Sequence, residues 1–314
     1  MRLRDIQVLI GIASEGLRVE AQRVGNNEVE LQEWAALGSS VELLVLVPSL
    51  KEVAAAALEH PVFAAKSHLV SPQEFDSLRD KIEQLRTASR QISIFLSQVL
   101  PPAPPHYFGV RLPDPVSSLE GMQAFLMLLR ETFDRPFGLL GHEPVSITSV
   151  EPGSLWLEVA VQSTVVLGLV GALLKAGKAF LDVMKSWKDF KATQSGTDVK
   201  NRDDQNRLLL QARQNGTEEI LKVVEEEFRA TSSILASSSR ALPAGDEARM
   251  VLHRSIQTAS SLYGDGLRIS VQLDAKVDVV RKFPEDSFPD GLSFDFNRLT
   301  HKETPALVPR KNKK

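Results

Sequence analysis

The chain contains no cysteine, and this absence removes several kinds of chemistry at once. Without thiols there is no disulfide framework, no thiolate zinc or iron–sulfur site and no cysteine nucleophile. The six histidines stand apart, with no HxH or HExxH spacing, and no GxSxG elbow is present. We therefore predict no catalytic, metal-binding or cofactor-binding residue and no cofactor, and we favour a protein that is not an enzyme.

The chain also lacks a large excess of charge of one sign. Its 37 basic and 40 acidic residues give a net charge of −3, so nothing attracts the whole molecule to nucleic acid or to an acidic membrane surface. The basic tail from Arg298 to Lys314 has no interleaved aromatic residues, so we expect at most weak contact with phosphates there. Near the start, the apolar run Ile6–Ile12 is short and interrupted, unlike a signal peptide. We expect a cytoplasmic protein.

Two short motifs imitate catalytic sites but lack essential parts. Gly171–Lys178 (GALLKAGK) is similar to a phosphate-binding P-loop, but five residues instead of four separate its glycines, and Ala179 stands where Ser or Thr would bind magnesium. Because the run lies inside a predicted helix, we interpret its glycines as points of close helix packing. Asp274-Ala275-Lys276 imitates half of a metal-dependent nuclease site, but no Pro-Asp pair lies close upstream.

The pattern of apolar residues, capping residues and prolines predicts a helix-rich α+β fold. Its central part reads as a strand–helix–strand–strand–helix unit. The predicted parts are an N-terminal α/β segment (1–66), the α+β unit with a long helix (71–192), a mainly helical region with a late strand (206–297) and a disordered basic tail (298–314). The polar stretch Thr193–Gln205 is interpreted as a linker.

Individual elements follow from local signals. Ser71 and Glu74 form a predicted capping box that opens a helix ending near Leu100, before four prolines. The remaining predictions are a strand at Val41–Val47, a helix at Lys51–His60, a strand at Tyr107–Leu112, a helix opened by Ser117 and Glu120, a hairpin of Val145–Val150 and Leu155–Val161 turning at Pro152-Gly153, helices at Thr164–Lys191 and Thr217–Leu235 with a break at Asn215-Gly216, a helix capped by Asp246, and a strand at Leu267–Val280.

The most unusual segment is Leu155–Leu174, in which no residue after Glu158 is charged. Gly168, Ala172 and Ala176 recur at every fourth position, a spacing typical of helices that approach closely. Together with Trp156, these residues form our predicted interaction face. A membrane-spanning helix needs about 20 apolar residues, and polar residues shorten this segment, so we favour a buried strand followed by a core helix. Membrane association is kept as an alternative.

Four features follow one another along the chain: LPD (Leu112–Asp114), SLE (Ser118–Glu120), GSLW (Gly153–Trp156) and a long lysine-bearing helix. In this order the chain resembles a group of bacterial proteins without an assigned activity, over roughly residues 75–190. The resemblance implies a context among bacterial conflict or phage-defence genes and assigns no site residues.

These observations lead to one preferred function and two alternatives. The preferred function is a non-enzymatic interaction module that binds a protein partner or self-associates as an oligomer. The first alternative is a membrane-perturbing effector that uses the apolar segment 155–174. The second is an enzyme whose active site is assembled from residues distant in sequence.

Overall fold

The computed structural model describes residues 1–24, 27–65, 68–113, 118–140, 145–151, 156–193, 199–235, 246–289, 291–299 and 305–310. The chain divides into two compact units, which are described separately below. The first unit comprises residues 1–103 and 288–314, and the second comprises residues 104–287. The predicted helix-rich α+β class is confirmed.

The first unit is built from helices and a small antiparallel sheet. Its elements in chain order are α1 (Leu3–Gly16), β1 (Glu20–Arg23), β2 (Val29–Gln32), α2 (Trp34–Val45), α3 (Lys51–Leu58), α4 (Pro61–Ala65), β3 (Leu69–Val70) and α5 (Pro72–Val99). The strand order is β1-β2-β3. Because α5 packs against α1 and α3, it belongs to this unit and not, as predicted, to a separate unit 71–192.

The capping box predicted at the start of α5 is confirmed. The Ser71 hydroxyl accepts a hydrogen bond from the Glu74 backbone N–H at 3.3 Å, and the Ser71 N–H donates to the Glu74 carboxylate at 2.8 Å. The Ser71 backbone N–H, followed by its hydroxyl, lowers the pKa of Glu74. Leu78, Ile82 and Leu85 are buried along one face, as their helical spacing predicts.

The strand predicted at Val41–Val47 is wrong, since these residues lie in and just after α2. Leu37, Val41 and Leu44 are buried, and their spacing of four and three residues is that of one helix face. A short apolar run cannot by itself distinguish a buried strand from a buried helix. The preceding Trp34–Ser40, which extends the pattern, makes the segment long enough for a helix.

The second unit contains a four-stranded antiparallel sheet and several long helices. The elements are β4 (Tyr107–Arg111), α6 (Leu119–Leu139), β5 (Ser146–Glu151), β6 (Trp156–Ala160), α7 (Thr164–Thr193), α8 (Val199–Leu235), α9 (Asp246–Gly264), β7 (Arg268–Val271), α10 (Val277–Val280) and a 3-10 turn (Glu285–Ser287). The strand order is β5-β6-β4-β7. The predicted strand–helix–strand–strand–helix series therefore corresponds to β4, α6, β5, β6 and α7.

The cap of α6 differs from the prediction, and the predicted hairpin turn lies outside the described residues. Ser118, and not Ser117, caps α6: its hydroxyl accepts a hydrogen bond from the Gly121 N–H at 3.0 Å. Ser117 and the predicted Pro152-Gly153 turn lie outside the described residues. The chain nevertheless pairs β5 with β6 directly, with a bulge between Ile147 and Ser149.

One face of the sheet carries the core of the second unit. Neighbouring strands place Phe108 beside Val159 on one side and Val271 on the other, and all three side chains are buried. The Phe133 ring of α6 meets the Phe108 ring edge-on, with centroids 5.4 Å apart. Phe137 stacks on Phe133 at 6.3 Å. The aromatic side chains of α6 thus fasten this helix to the sheet.

Three predictions for the later part of the second unit are wrong: the break, the linker and the length of the late strand. α8 is continuous through Asn215-Gly216, where a break was predicted, and it begins at Val199, inside the predicted linker; residues 194–198 lie outside the described part. The late strand ends at Val271, and Val277–Val280 are helical. The predicted helix at this point is confirmed as α9, and Asp246, which was predicted to cap it, lies in its first turn.

The prediction of a disordered tail over 298–314 is wrong for residues 298–299 and 305–309, which lie in strands. Strands β8 (Leu292–Leu299) and β9 (Pro305–Pro309) pair antiparallel in the first unit. Leu292 and Leu307 are buried, and the Arg310 N–H donates to the Gly291 carbonyl at 2.6 Å. The prediction followed from the many basic residues of this tail. The apolar run Ala306–Val308 lies among them, and its Leu307 side chain is buried. Residues 300–304 and 311–314 lie outside the described part.

Candidate interaction groove

The predicted interaction residues lie on two different elements. Trp156 begins β6, where it is half-buried and paired with Arg111 of β4 and Glu151 of β5. Gly168, Ala172 and Ala176 lie on α7, which packs against α8, α9 and α10. Trp156 is therefore a sheet residue, whereas the three small residues belong to a helix. Of these three, Ala172 and Ala176 line a groove and Gly168 does not.

Of the three glycines of α7, Gly171 and Gly177 approach their neighbours more closely than Gly168 does. A Cβ atom at Gly171 would lie 2.6 Å from the Phe283 ring, and one at Gly177 would lie 2.5 Å from the Ala259 Cβ atom of α9. At Gly168, the nearest atom would be the flexible Lys282 side chain at 3.4 Å. The glycines of the GALLKAGK run thus permit close packing, as interpreted from the sequence. The every-fourth spacing that singled out Gly168 missed both of them.

The groove itself lies between α7 and α8 and has a volume of about 560 Å³. At one end, a Cβ atom at Gly216 of α8 would lie 4.0 Å from Val183 of α7. At the other end, the Lys282 side chain lies beside Gly168 of α7 and bonds to Glu227 of α8. The helices are therefore antiparallel along the groove. Ala172 to Val183 on α7 spans about 16 Å at the helical rise of 1.5 Å per residue.

Each wall of the groove presents a stripe of residues spaced by four, three and four positions. This spacing is the heptad seam with which helices pack against one another. On the α7 wall the stripe comprises Ala172, Ala176, Ala179 and Val183, and on the α8 wall it comprises Gly216, Ile220, Val223 and Glu227. Lys175 of α7 and Glu219 and Val224 of α8 also line the groove.

The two walls are mainly apolar but incompletely covered. Ala176 and Val224 are buried at the base of the groove, whereas Val223 is 57% exposed. An exposed valine is unremarkable alone. Here it completes a seam whose neighbours Ile220 and Ala172 are also only partly buried, so the groove is an apolar surface that the described residues leave open to solvent.

Charged side chains lie at the two ends of the groove. At the end marked by Ala172, the Lys282 ammonium pairs with the Glu227 carboxylate at 2.6 Å. The Lys175 ammonium lies 3.4 Å from the Arg281 carbonyl, and Arg281 also lines this end. Toward the other end, Glu219 lies eight residues before Glu227, about 12 Å along α8.

The two runs that imitate catalytic motifs, GALLKAGK and Asp274-Ala275-Lys276, lie in α7 and in a turn, respectively. Lys178, the lysine of the GALLKAGK run, pairs with Asp286 at 2.6 Å. Asp274 and Lys276 are exposed in the turn between β7 and α10, outside any strand. Within the described ranges, no three His, Asp or Glu side chains converge as metal ligands. His142 and His301 lie outside those ranges.

The membrane alternative concerns the same helix. Among the described residues one helical stretch, Thr164–Ser186, is long and apolar enough to cross a membrane by length and composition. However, 56% of its most apolar window is buried inside the fold. A core helix of a soluble protein has the same composition, so this property alone does not indicate a membrane span.

Sequence reasoning found half of the groove. It selected Ala172 and Ala176, but it missed the α8 wall. The predicted break at Asn215-Gly216 excluded Gly216 from the helix, and Val223 lies beside the buried face of Leu221, Val224 and Phe228. The available signal was the heptad spacing of residues 216, 220, 223 and 227. No protein-family model, curated protein or solved structure matches the chain, so the groove is interpreted from its own geometry.

Proposed function

We propose that the chain is a non-enzymatic interaction module that binds an apolar helix of a partner protein in the groove between α7 and α8. The observation that carries this proposal is the pair of heptad-spaced stripes that face the same open groove, with Val223 57% exposed. We place the module in the cytoplasm of a bacterium, within a defence or conflict system, and the resemblance of residues 75–190 is the support for that setting.

A helix is the occupant that fits both walls. Two antiparallel helices that expose adjacent seams form two-thirds of a three-helix bundle, and a third helix would complete it. The small side chains of Ala172, Ala176 and Ala179 allow the backbone of an incoming helix to approach closely. The apolar length of about 16 Å corresponds to three helical turns, which is the length of contact made by short helical recognition segments.

The experiment uses a designed fluorescent peptide and the full chain. The peptide is an amphipathic helix of about four heptads with leucine at both seam positions, and its binding is followed by fluorescence anisotropy. We expect saturable binding that Val223→Glu weakens at least tenfold, because a carboxylate would be desolvated in the contact. Met250→Glu on α9 is the matched control, since Met250 is also apolar, is 65% exposed and does not line the groove.

The control distinguishes binding of the peptide in the groove from nonspecific hydrophobic binding. If Met250→Glu weakens binding as much as Val223→Glu does, the peptide binds nonspecifically and the groove is not its site. Absence of saturable binding by the unaltered chain would also reject the proposal.

A membrane-perturbing effector is the second candidate, because Thr164–Ser186 passes the length and composition test for a span. Insertion would have to withdraw buried residues such as Val170 and Leu173 from the core of the second unit, and their replacement contacts would have to come from lipid. We expect the chain to remain in the supernatant after high-speed centrifugation and to release no dye from anionic liposomes. Recovery in a carbonate-resistant membrane pellet would favour the effector instead.

A further inference from the structure

We infer that β5 is a second interaction surface, through which two copies of the chain join their sheets edge to edge. In this pairing the two β5 strands run antiparallel about a two-fold axis, and Ile147 of one copy lies opposite Val150 of the other. The inference goes beyond the proposed function, because β5 belongs to the sheet and does not line the groove.

The backbone of β5 is open on its outer side. In the described part of the chain β5 pairs with β6 and with no other strand. Next to β6, the Val161 N–H donates to the His106 carbonyl at 3.0 Å and so points to the β4 side. Backbone groups alternate in direction along a strand, so the other odd-numbered residues of β6 also point to β4. Ile147 and Val150 lie opposite two of them, and their own N–H and C=O groups therefore point out of the sheet.

The side chains of Ile147 and Val150 continue the apolar core of the second unit to this edge. Their cross-strand neighbours, Val159 and Leu157, are buried on the sheet face against which α6 packs. Ile147 is 46% exposed and Val150 is 59% exposed. The bulge in β5 keeps both side chains on this face although three positions separate them. The covering of the face thus ends at β6 and leaves the apolar side chains of β5 open to solvent.

α6 adds Met127 to the same open surface. The Asp134 carboxylate accepts a hydrogen bond from the Val145 N–H, just before β5, at 3.2 Å, so this side of α6 faces β5. Met127 lies two helical turns earlier on that side, about 10 Å along the axis, and is 65% exposed. Because α6 leads from the end of β4 to the start of the parallel strand β5, it runs opposite to β5. Met127 therefore lies alongside the strand.

A second copy of β5 matches both the backbone and the side chains. When the two strands pair antiparallel about a two-fold axis perpendicular to the sheet, Ile147 of each copy exchanges backbone hydrogen bonds with Val150 of the other. Thr148 then lies opposite Ser149. Both α6 helices stay on the same side of the joined sheet, so the two apolar surfaces form one layer. A two-fold contact requires a surface that is complementary to itself, and this strand provides one.

The charges near β5 do not oppose this pairing. No residue from 146 to 150 is charged. Beside the strand, the Arg130 guanidinium bonds to a carboxylate of its own helix at 3.3 Å, and Glu151 is buried. The edge strand β1 differs, because it exposes Glu20 and Arg23. Charged side chains are a common means of keeping an edge strand unpaired, and β5 lacks them.

The oligomeric state of the full chain tests the inference. We expect sedimentation equilibrium to show a dimer. Val150→Lys should raise the dissociation constant of this dimer at least tenfold, because an ammonium group would be desolvated in an apolar contact. Val223→Lys on α8 is the matched control. It makes the same change at a valine of nearly equal exposure, 57% against 59%, that lies outside β5, and it should leave the dimer intact.

Introduced cysteines test the register directly, because the chain has none of its own. Opposed residues that exchange hydrogen bonds across an antiparallel pair have Cα atoms about 5.5 Å apart, which a disulfide can bridge. One preparation carries Ile147→Cys and another carries Val150→Cys. After mixing and oxidation, we expect the crossed disulfide to form in preference to either symmetric one. This measurement also decides the question if circular dichroism shows that Val150→Lys does not fold.

Three results would overturn the inference. They are a chain that stays monomeric, a dimer that Val223→Lys weakens as much as Val150→Lys does, and a preference for the symmetric disulfides. Binding of the helical peptide separates this inference from the proposed function. Val150→Lys should still bind the peptide, and loss of peptide binding by the unaltered chain would reject the groove without affecting the dimer.

Discussion

At the scale of single residues, Gly177 lets α7 pack closely against α9. A Cβ atom there would lie 2.5 Å from the Ala259 Cβ atom and 3.2 Å from the Ala259 carbonyl carbon. The backbone of α9 cannot move away as a flexible side chain could. We predict that Gly177→Ala lowers the free energy of unfolding by about 1–3 kcal/mol, the usual effect of overfilling a packed contact, as measured by urea denaturation.

Gly168 provides the matched control for this prediction. The nearest neighbour of its added Cβ would be the Lys282 side chain at 3.4 Å, which can shift. Alanine also has the higher helix propensity, by about 1 kcal/mol, so Gly168→Ala should leave stability unchanged or raise it. Equal losses in the two variants would mean that the helix contacts differ from those described.

The burial of His60 predicts that the stability of the first unit depends on pH. The side chain is 3% exposed, and burial, reinforced by the nearby Lys81 ammonium and opposed by Glu74, lowers the pKa of His60. The unfolded chain therefore takes up this proton first as the pH falls below about 6.5, and the free energy of unfolding decreases with falling pH.

The variant His60→Asn tests this dependence. Its amide oxygen can replace the Nδ1 atom that accepts a hydrogen bond from the Val62 N–H at 3.4 Å, but it does not titrate. We expect the thermal midpoint of the unaltered chain to fall more than that of the variant between about pH 7.5 and 5.5. Parallel curves for the two proteins would show that His60 does not contribute to the pH dependence.

At the scale of elements, α8 shows how tertiary packing overrides a local signal. Asn215-Gly216 is a typical turn sequence, yet the helix continues through it because Leu221, Val224 and Phe228 are buried on the face that follows.

A Cβ atom at Gly216 would meet nothing nearer than Val183 at 4.0 Å. We predict that Gly216→Ala raises the unfolding free energy by about 0.5–1 kcal/mol, measurable by urea denaturation; a loss of stability would indicate a break at this position.

The elements that the sequence predicted well are those with signals of more than one kind. α5 combines a capping box, a proline at its first position, a periodic apolar face and a proline cluster after its end. α2 has only an apolar run, which fits a strand equally well. The short strands β1–β3 and β8–β9 were not predicted, because their pairing joins segments whose individual patterns are weak.

The same reasoning explains the partial prediction of the groove. The α7 wall was visible because small residues at a regular spacing stand out within an apolar helix. The α8 wall depends on Val223 lying beside, not within, the apolar face of its helix, and on Lys282 arriving from a segment more than fifty residues later. The heptad spacing on α8 was a local signal, but the arrival of Lys282 is created by the tertiary fold and has no local signature.

At the scale of the whole molecule, the second unit is continuous in sequence but depends on its last residues. β7 pairs directly with β4, joining Val271 to Phe108, and Phe283 covers Gly171 on α7. Both contacts close the core with segments that follow α9. The first unit, by contrast, is completed only when the chain returns as β8 and β9.

This dependence predicts how fragments of the chain behave. The fragment 104–287 contains the whole sheet and the helices packed on it, so we expect it to show helical circular dichroism and a single cooperative thermal transition. The fragment 104–266 lacks β7, α10 and Phe283, which leaves an edge of β4 unpaired and Val110 and Phe108 without their neighbours Ile269 and Val271. We expect it to melt without cooperativity or to aggregate, because an exposed apolar strand edge favours association. Equal cooperativity and midpoints for the two fragments would mean that β7 adds little to the core, whereas failure of both would mean that the second unit does not fold independently.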